Sequence, residues 1–236
     1  MVSTQARTTK ISPAVEKEVL PLENGDRLTR VEFERRYAAM PHLKKAELIE
    51  GVVYLPPAVR AKNHAQPHSD MLTWIGVYRA LTRGVLSYDN ATVRLDEDND
   101  PQPDALLRIE TKKGGRSSIS TDDYIEGSPE LVIEIAASSA SYDLHDKKHV
   151  YRRHGIQEYI VWRSKDKAID WFSLQEGAYV LIEPNEQGVL QSKVFPGLWL
   201  DAEAFISGDL GRVLDVLREG MNTPEHQTFV KTLSST

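Results

Sequence analysis

The chain has 236 residues, no cysteine and a net charge of −6. The absence of cysteine excludes disulfides, thiol catalysis and thiolate metal sites, and it is typical of a reducing cytoplasm. No apolar run is long enough to span a bilayer, so we expect a cytoplasmic protein with no membrane partner. The acidic balance argues mildly against a general DNA binder, because phosphate contacts usually need a basic surface.

Strand and helix patterns alternate along the chain, which predicts a single α/β domain. Helical spacing and capping signals predict helices at 29–39, 67–83, 141–154, 202–205 and 210–218. Apolar or alternating runs bounded by turn residues predict strands at 47–54 (bent at Gly51), 85–88, 92–95, 105–109, 130–135, 157–162, 169–174 and 179–182. We assign residues 29–218 to this domain, 1–28 to a flexible N-terminal lead-in and 219–236 to a polar C-terminal tail.

One carboxylate lies in a strand pattern that is otherwise apolar. Glu134 is surrounded by Leu131, Val132, Ile133 and Ile135, a composition typical of a strand buried on both faces. An ionised carboxylate there must be paired, hydrogen-bonded or bound to a cation, because leaving it unpaired costs too much free energy. Glu134 is therefore the first candidate for a functional residue.

Two further groups have the chemistry to act with Glu134. Asp104 follows a proline at the start of a predicted strand. A predicted helix presents on one side three residues that are four positions apart: Asp143, Lys147 and Tyr151. If the strands of Asp104 and Glu134 are neighbours, their carboxylates can share Mg²⁺, which takes one or two carboxylates with waters and substrate phosphates. Such an ion polarises a phosphoryl oxygen and activates a water, and a nearby lysine offsets the charge that develops in the transition state.

Each of these residues also has a purely structural interpretation. Asp104 can simply cap a turn, and Tyr151 can be a core residue. Asp143 and Lys147 can form an exposed ion pair, worth only about 0.3–0.5 kcal/mol. Glu134 has the weakest structural interpretation, because a solvated face does not fit its apolar neighbours.

Two histidine pairs have the i, i+4 spacing of a zinc site. They are His64 with His68, and His145 with His149. Neither pair has an obvious third ligand, and a proline between the first two makes a continuous helix there doubtful. A solvated helix face is the simpler interpretation of the second pair.

Several stretches together carry a resemblance. They are Pro103-Asp104, Glu130-Leu-Val-Ile-Glu134-Ile, Asp143-x3-Lys147-x3-Tyr151-x3-Gly155-Ile156-x2-Tyr159-Ile-Val-Trp162, and Glu47 to Tyr54 ahead of a helix preceded by His68. Their order and spacing resemble a large bacterial family of restriction endonuclease-like proteins in the PD-(D/E)XK nuclease superfamily, over residues 29–174. The resemblance implies a mixed central β-sheet flanked by helices and a site for Mg²⁺, with Mn²⁺ as a substitute.

The resemblance also implies roles for individual residues. Asp104 and Glu134 would be metal ligands, with Ile135 as a further ligand position. The general motif has a lysine two residues after the acidic residue, where this chain has Ala136. Similar family members supply the lysine from the following helix, which here is Lys147.

The resemblance leaves some assignments open. Lys148 is the second choice for the lysine. Glu50 is implied as an auxiliary acid and His68 as a residue that reaches the site. The implied function is a Mg²⁺-dependent endonuclease that hydrolyses DNA phosphodiester bonds, acting as a homodimer. The alternatives are a catalytically silent nuclease-fold binding or interaction module, which the acidic balance favours, and a hydrolase of small phosphate compounds.

Overall fold

The computed structural model describes residues 19–57, 59–137 and 142–235. Its strands are β1 (Glu47–Ile49), β2 (Val52–Tyr54), β3 (Val85–Asp89), β4 (Val93–Arg94), β5 (Ala105–Ile109), β6 (Ser117–Ile119), β7 (Ile125–Gly127), β8 (Leu131–Ala136), β9 (Glu158–Arg163), β10 (Ala168–Gln175), β11 (Ala178–Leu181), β12 (Val189–Gln191) and β13 (Trp199–Asp201). Its α-helices are α1 (Arg30–Ala38), α2 (Gln66–Leu81), α3 (Lys148–Arg153), α4 (Ala202–Ser207), α5 (Leu210–Met221) and α6 (Pro224–Ser235).

A six-stranded sheet in the order β11-β10-β9-β8-β5-β3 forms the centre of the fold. β8 and β9 run parallel, whereas the other neighbouring strands of this sheet are antiparallel. Three smaller sheets surround it: β1 with β2, β12 with β13, and β4-β7-β6. The expected α/β architecture with a mixed central sheet flanked by helices is confirmed.

Alternate residues of β8 face two different parts of the core, because successive side chains of a strand point to opposite faces. Leu131, Ile133 and Ile135 pack with α2 and the C-terminal helices. Val132 and Ala136 pack on the other face with α3 and β9. Glu134 lies between Val132 and Ala136 along β8, so its side chain is on the same face of the sheet, the one that packs against α3.

Two π-helical turns precede the longest predicted helices. Ala61–Ala65 leads into α2, and Asp143–Lys147 leads into α3. Such turns are rare and are found frequently at functional sites. The first residue of the predicted helix 141–154 lies outside the described residues.

The prediction of a polar tail at 219–236 is wrong. Residues up to Met221 continue α5, and α6 follows after a short turn. Leu233 of α6 is buried, and so is His226, whose Nε2 lies 2.9 Å from Oγ1 of Thr82. The polar composition of this segment led to the wrong prediction, because a few apolar residues are enough to hold a short helix at the edge of a core.

Part of the expected N-terminal lead-in, residues 19–28, belongs to the folded domain. Residues 1–18 lie outside the described part of the chain. Leu22, however, is buried with Phe33 in a small core against β1 and β2, and Arg27 bridges to Val52. Within the described residues, no helix combines the length and apolar character needed to cross a membrane.

Candidate active site

The pairing of β5 with β8 brings Asp104 next to Glu134. Ala105 pairs with Ile133 in antiparallel register, and one further step of that register sets Asp104 opposite Glu134. The link is direct, because Oδ2 of Asp104 accepts a 2.7 Å hydrogen bond from the backbone N–H of Ile135. Residues directly opposite each other in neighbouring strands share a face, so both carboxylates lie on the α3 side of the sheet.

The predicted row of Asp143, Lys147 and Tyr151 approaches Glu134 from the α3 side of the sheet. Lys147 Nζ and the hydroxyl of Tyr151 both donate to Oε1 of Glu134, each at 2.9 Å. Lys147 Nζ also lies 3.8 Å from Oδ1 of Asp143. Lys148 points elsewhere, with its Nζ 3.4 Å from the centre of the Phe172 ring. The structure therefore brings Lys147, and not Lys148, to the carboxylates.

Glu47 is a member of this cluster that the sequence reasoning missed. Its Oε1 lies 2.8 Å from Lys147 Nζ and accepts a 2.7 Å hydrogen bond from the backbone N–H of Gln102. The sequence does contain a signal for Glu47, because this carboxylate directly precedes the apolar residues Leu48 and Ile49. The structure shows that all three lie in a buried strand. The reasoning that singled out Glu134 applies to Glu47 equally.

Glu50, the expected auxiliary acid, lies outside the cluster. It occupies the turn between β1 and β2 with a positive φ of 52°. Its carboxylate lies 2.8 Å from Arg153 in an ion pair whose side chains are 46% and 41% exposed. The structure therefore does not bring Glu50 to the carboxylate cluster.

Lys45 and two histidines surround Asp104. Lys45 Nζ donates to Oδ1 of Asp104 at 2.9 Å. His64 has Nε2 3.6 Å from the same oxygen and Nδ1 3.1 Å from the carbonyl oxygen of Ile135. His68 Nε2 lies 2.7 Å from the carbonyl oxygen of Asp104. His68 thus contacts the site through the main chain of Asp104.

The histidine pairs are not arranged as zinc sites. His145 and His149 are exposed on the helix. The rings of His64 and His68 are 5.8 Å apart, and each contacts oxygen atoms of the cluster. Across the described part of the chain, no group of three or more histidine or acidic side chains is arranged to hold a metal ion.

The cluster carries more carboxylates than ammonium groups. It contains four carboxylates and two lysines within hydrogen-bonding or ion-pairing range: Glu47, Asp104, Glu134, Asp143, Lys45 and Lys147. Burial raises the pKa of Glu134 to about 8; Lys147 opposes this rise, and the carboxylates of Asp104, Asp143 and Glu47 add to it. Burial alone would lower the pKa of Lys147, but Glu134, Glu47 and Asp143 raise it well above its usual range. Both shifts favour proton binding: burial is the main cause for Glu134, and the neighbouring carboxylates are the cause for Lys147.

Asp104 differs from Glu134. Burial would raise its pKa, but Lys45, His64 and the N–H of Ile135 together hold that pKa below its usual value. Asp104 is therefore the more acidic of the two carboxyl groups. Both hydrogen bonds that Glu134 accepts go to Oε1, and within the described residues none goes to Oε2.

The donor set fits a hard divalent cation. Carboxylates of Asp104 and Glu134 and the carbonyl of Ile135 are oxygen ligands, which Mg²⁺ prefers over nitrogen and sulfur. Mg²⁺ commonly keeps several waters and needs only one or two carboxylates, so a third acidic ligand is not required. Two positive charges would also balance the surplus of two carboxylates over lysines.

Comparisons with known proteins agree with this architecture. The family Uma2, described as putative restriction endonuclease, matches residues 30–203. A crystal structure of a putative nuclease belonging to DUF820 from Anabaena variabilis aligns with a TM-score of 0.52 and 15% identity, covering 73% of this chain and 97% of that one. At this identity the match shows the fold alone. No curated protein matches the chain significantly.

Proposed function

Because the chain belongs to the Uma2 family of putative restriction endonucleases, we propose that it is a Mg²⁺-dependent endonuclease that hydrolyses DNA phosphodiester bonds. One observation carries the proposal beyond the family. Asp104 and Glu134, from neighbouring strands, lie side by side in a buried cluster with surplus negative charge. Buried charges in proteins are paired or bound to metal ions, so the carboxylate charge that the two lysines do not offset supports a cation site.

Asp104, Glu134 and the carbonyl of Ile135 are the residues that would hold the ion. When bound, Mg²⁺ polarises a phosphoryl oxygen and lowers the pKa of a coordinated water, which supplies the nucleophile. The chain's own residues fix the ligands in place. Tyr151 orients Glu134 by donating to Oε1, and His68 contacts the main-chain carbonyl of Asp104.

Lys147 has a positioning role in this proposal. Its ammonium group lies between Glu47 and Glu134, at 2.8 and 2.9 Å, and its side chain is 3% exposed. It therefore holds the two carboxylates together and reduces their mutual repulsion. Glu47 takes the place that we expected for Glu50, because it is the acid of the opening strands that reaches the cluster.

The proposal is tested with supercoiled plasmid DNA in Mg²⁺. The wild type should convert the plasmid to nicked or linear forms, and EDTA should prevent this. Asp104→Asn should abolish conversion while preserving an oxygen that accepts from the N–H of Ile135. Glu50→Gln, which changes an acid outside the cluster, should cut as the wild type does.

The net charge of −6 favours a second candidate, a catalytically silent nuclease-fold binding module. The plasmid assay, read together with DNA binding, distinguishes the endonuclease from the binding module. A wild type that binds DNA in Mg²⁺ but leaves the plasmid intact, at any protein concentration that saturates binding, supports the module and removes the endonuclease.

A further inference from the structure

We propose that Lys45, rather than Lys147, is the lysine that contacts the substrate phosphate. This inference rests on the proposed nuclease function and assigns a residue that the motif does not include. Lys45 lies on the connection into β1, two residues before Glu47 and well away in sequence from the helix that carries Lys147.

The surroundings of Lys147 enclose its ammonium group. An ammonium group has three N–H donors. Lys147 Nζ lies 2.8 Å from Glu47, 2.9 Å from Glu134 and 3.8 Å from Asp143. Its side chain is 3% exposed, so a phosphate would have to displace carboxylates to reach it. Lys147 is thus enclosed by the cluster and does not face a substrate.

Lys45 has the opposite properties. Its side chain is 21% exposed, although its tip reaches the buried Oδ1 of Asp104 at 2.9 Å. Its only other hydrogen bond within the described residues is a long one of 3.4 Å to Oδ1 of Asn90. At least one donor therefore remains for an incoming anion, beside a carboxylate that is a proposed metal ligand.

The bond between Lys45 and Asp104 also connects the lysine to the cation. Lys45 Nζ already contacts Oδ1 of Asp104, and a cation held by the same carboxylate would repel the ammonium group. Lys45 would then leave Asp104 for a phosphate oxygen. Its long, flexible stem allows this movement without a change in the backbone.

Three variants test the inference. Lys45→Gln removes the charge, and Lys45→Arg retains it. Lys44→Gln is the matched control, because Lys44 is the adjacent lysine and its side chain is exposed. DNA affinity is measured over a range of salt concentrations with Ca²⁺ replacing Mg²⁺, and a gel confirms that the DNA stays intact. Mn²⁺ affinity is measured by calorimetry without DNA, and thermal melting confirms that each variant is folded.

Lys45→Gln should reduce the slope of log affinity against log salt by about 0.9, the effect of one lost phosphate contact. Cleavage in Mg²⁺ should slow by about 100-fold, as for loss of a single transition-state donor. Mn²⁺ affinity should be unchanged or higher, because a competitor for Asp104 has been removed. Lys45→Arg should restore the salt slope, and Lys44→Gln should cut DNA at the wild-type rate.

A Lys45→Gln variant that keeps both the salt slope and the cleavage rate of Lys44→Gln would overturn the inference. So would a folded Lys45→Gln variant that loses Mn²⁺ binding, because Lys45 would then support the ligands. These results differ from failure of the nuclease proposal itself. In that case the wild type would not cut DNA at all, and the role of Lys45 would fail with it.

Discussion

Lys147 Nζ lies 2.9 Å from Oε1 of Glu134, and both side chains are almost completely buried. A buried ion pair is weak support for stability, because removing two charges from water costs about as much as their attraction returns. Here one ammonium group also faces the additional carboxylates of Glu47 and Asp143. The arrangement is better understood as a set of acidic ligands held close together by a lysine.

Lys147→Met should destabilise the protein strongly. The substitution leaves Glu47, Glu134 and Asp143 buried without their shared cation, and breaking a buried pair in this way costs about 3–5 kcal/mol. Urea unfolding measures the loss. Mg²⁺ should recover part of the stability of the variant and stabilise it more than the wild type, because binding to the native state adds to its stability.

Lys148→Met is the control for this substitution. The Lys148 ammonium lies over the Phe172 ring instead of a carboxylate, and such contacts at partly exposed sites are worth about 0.5–1 kcal/mol. Equal losses in the two variants would show that the carboxylate cluster does not depend on Lys147.

Glu134→Gln should abolish the binding of Mn²⁺ in calorimetry. Glutamine retains an oxygen that accepts the hydrogen bond from Tyr151, so the variant separates loss of charge from loss of packing. Glu50→Gln should bind Mn²⁺ as the wild type does, because that carboxylate pairs with Arg153 at the surface. If Glu134→Gln binds Mn²⁺ with unchanged affinity, Glu134 is not a ligand.

Much of the fold followed from local patterns. Apolar runs located the strands of the central sheet, and the turn at Gly51 separated β1 from β2 as expected. The burial of Glu134 also followed from its neighbours, since an apolar strand on both sides determines its environment. These features depend on residues close together in the sequence.

The sequence did not predict the features that depend on contacts between residues far apart in the chain. Glu47 and Glu50 are three residues apart, and the approach of the helical segment 143–153 decides which one meets Lys147 and which one meets Arg153. Lys45 likewise gains its partner Asp104 from a segment 59 positions away. No spacing rule within one element contains this information.

Glu47→Gln and Glu50→Gln should therefore differ in nuclease activity. Loss of the Glu47 charge removes a partner of Lys147 and shifts the balance of the cluster, so we expect slower plasmid cleavage by tenfold or more, on the order of one lost charge-assisted contact. The rate of Glu50→Gln should match that of the wild type. Reversed effects would restore Glu50 as the auxiliary acid.

Leu233→Ala should show that α6 is part of the folded domain. Leu233 is buried in the main core, and replacing a buried leucine with alanine usually costs about 2–5 kcal/mol. Lys231→Ala, at an exposed position of the same helix, should change the free energy of unfolding little. Urea unfolding compares the two, and equal stabilities would mean that α6 is only loosely attached.

Asp100 should make the stability of the protein depend on pH. Its carboxylate is buried, and neither of its oxygen atoms has a hydrogen-bond donor within the described residues. Burial raises the pKa of Asp100 to about 8, and the nearby Glu34 contributes to the rise. An unfolded aspartate has a pKa of about 3.9. Between these two values the folded state binds a proton that the unfolded state has released, so stability falls as the pH rises through this window.

Asp100→Asn removes the titrating group and keeps a side chain of nearly the same shape. Urea unfolding between pH 4 and pH 9, chosen to cover about the window above, should show a steeper decline for the wild type than for the variant. The difference should be smallest at the acidic end, where about half of the unfolded chains also carry the Asp100 proton. Asp98→Asn, at an exposed position in the same loop, should follow the wild-type curve. Parallel curves for wild type and Asp100→Asn would show that the pKa of Asp100 is not raised in the folded protein.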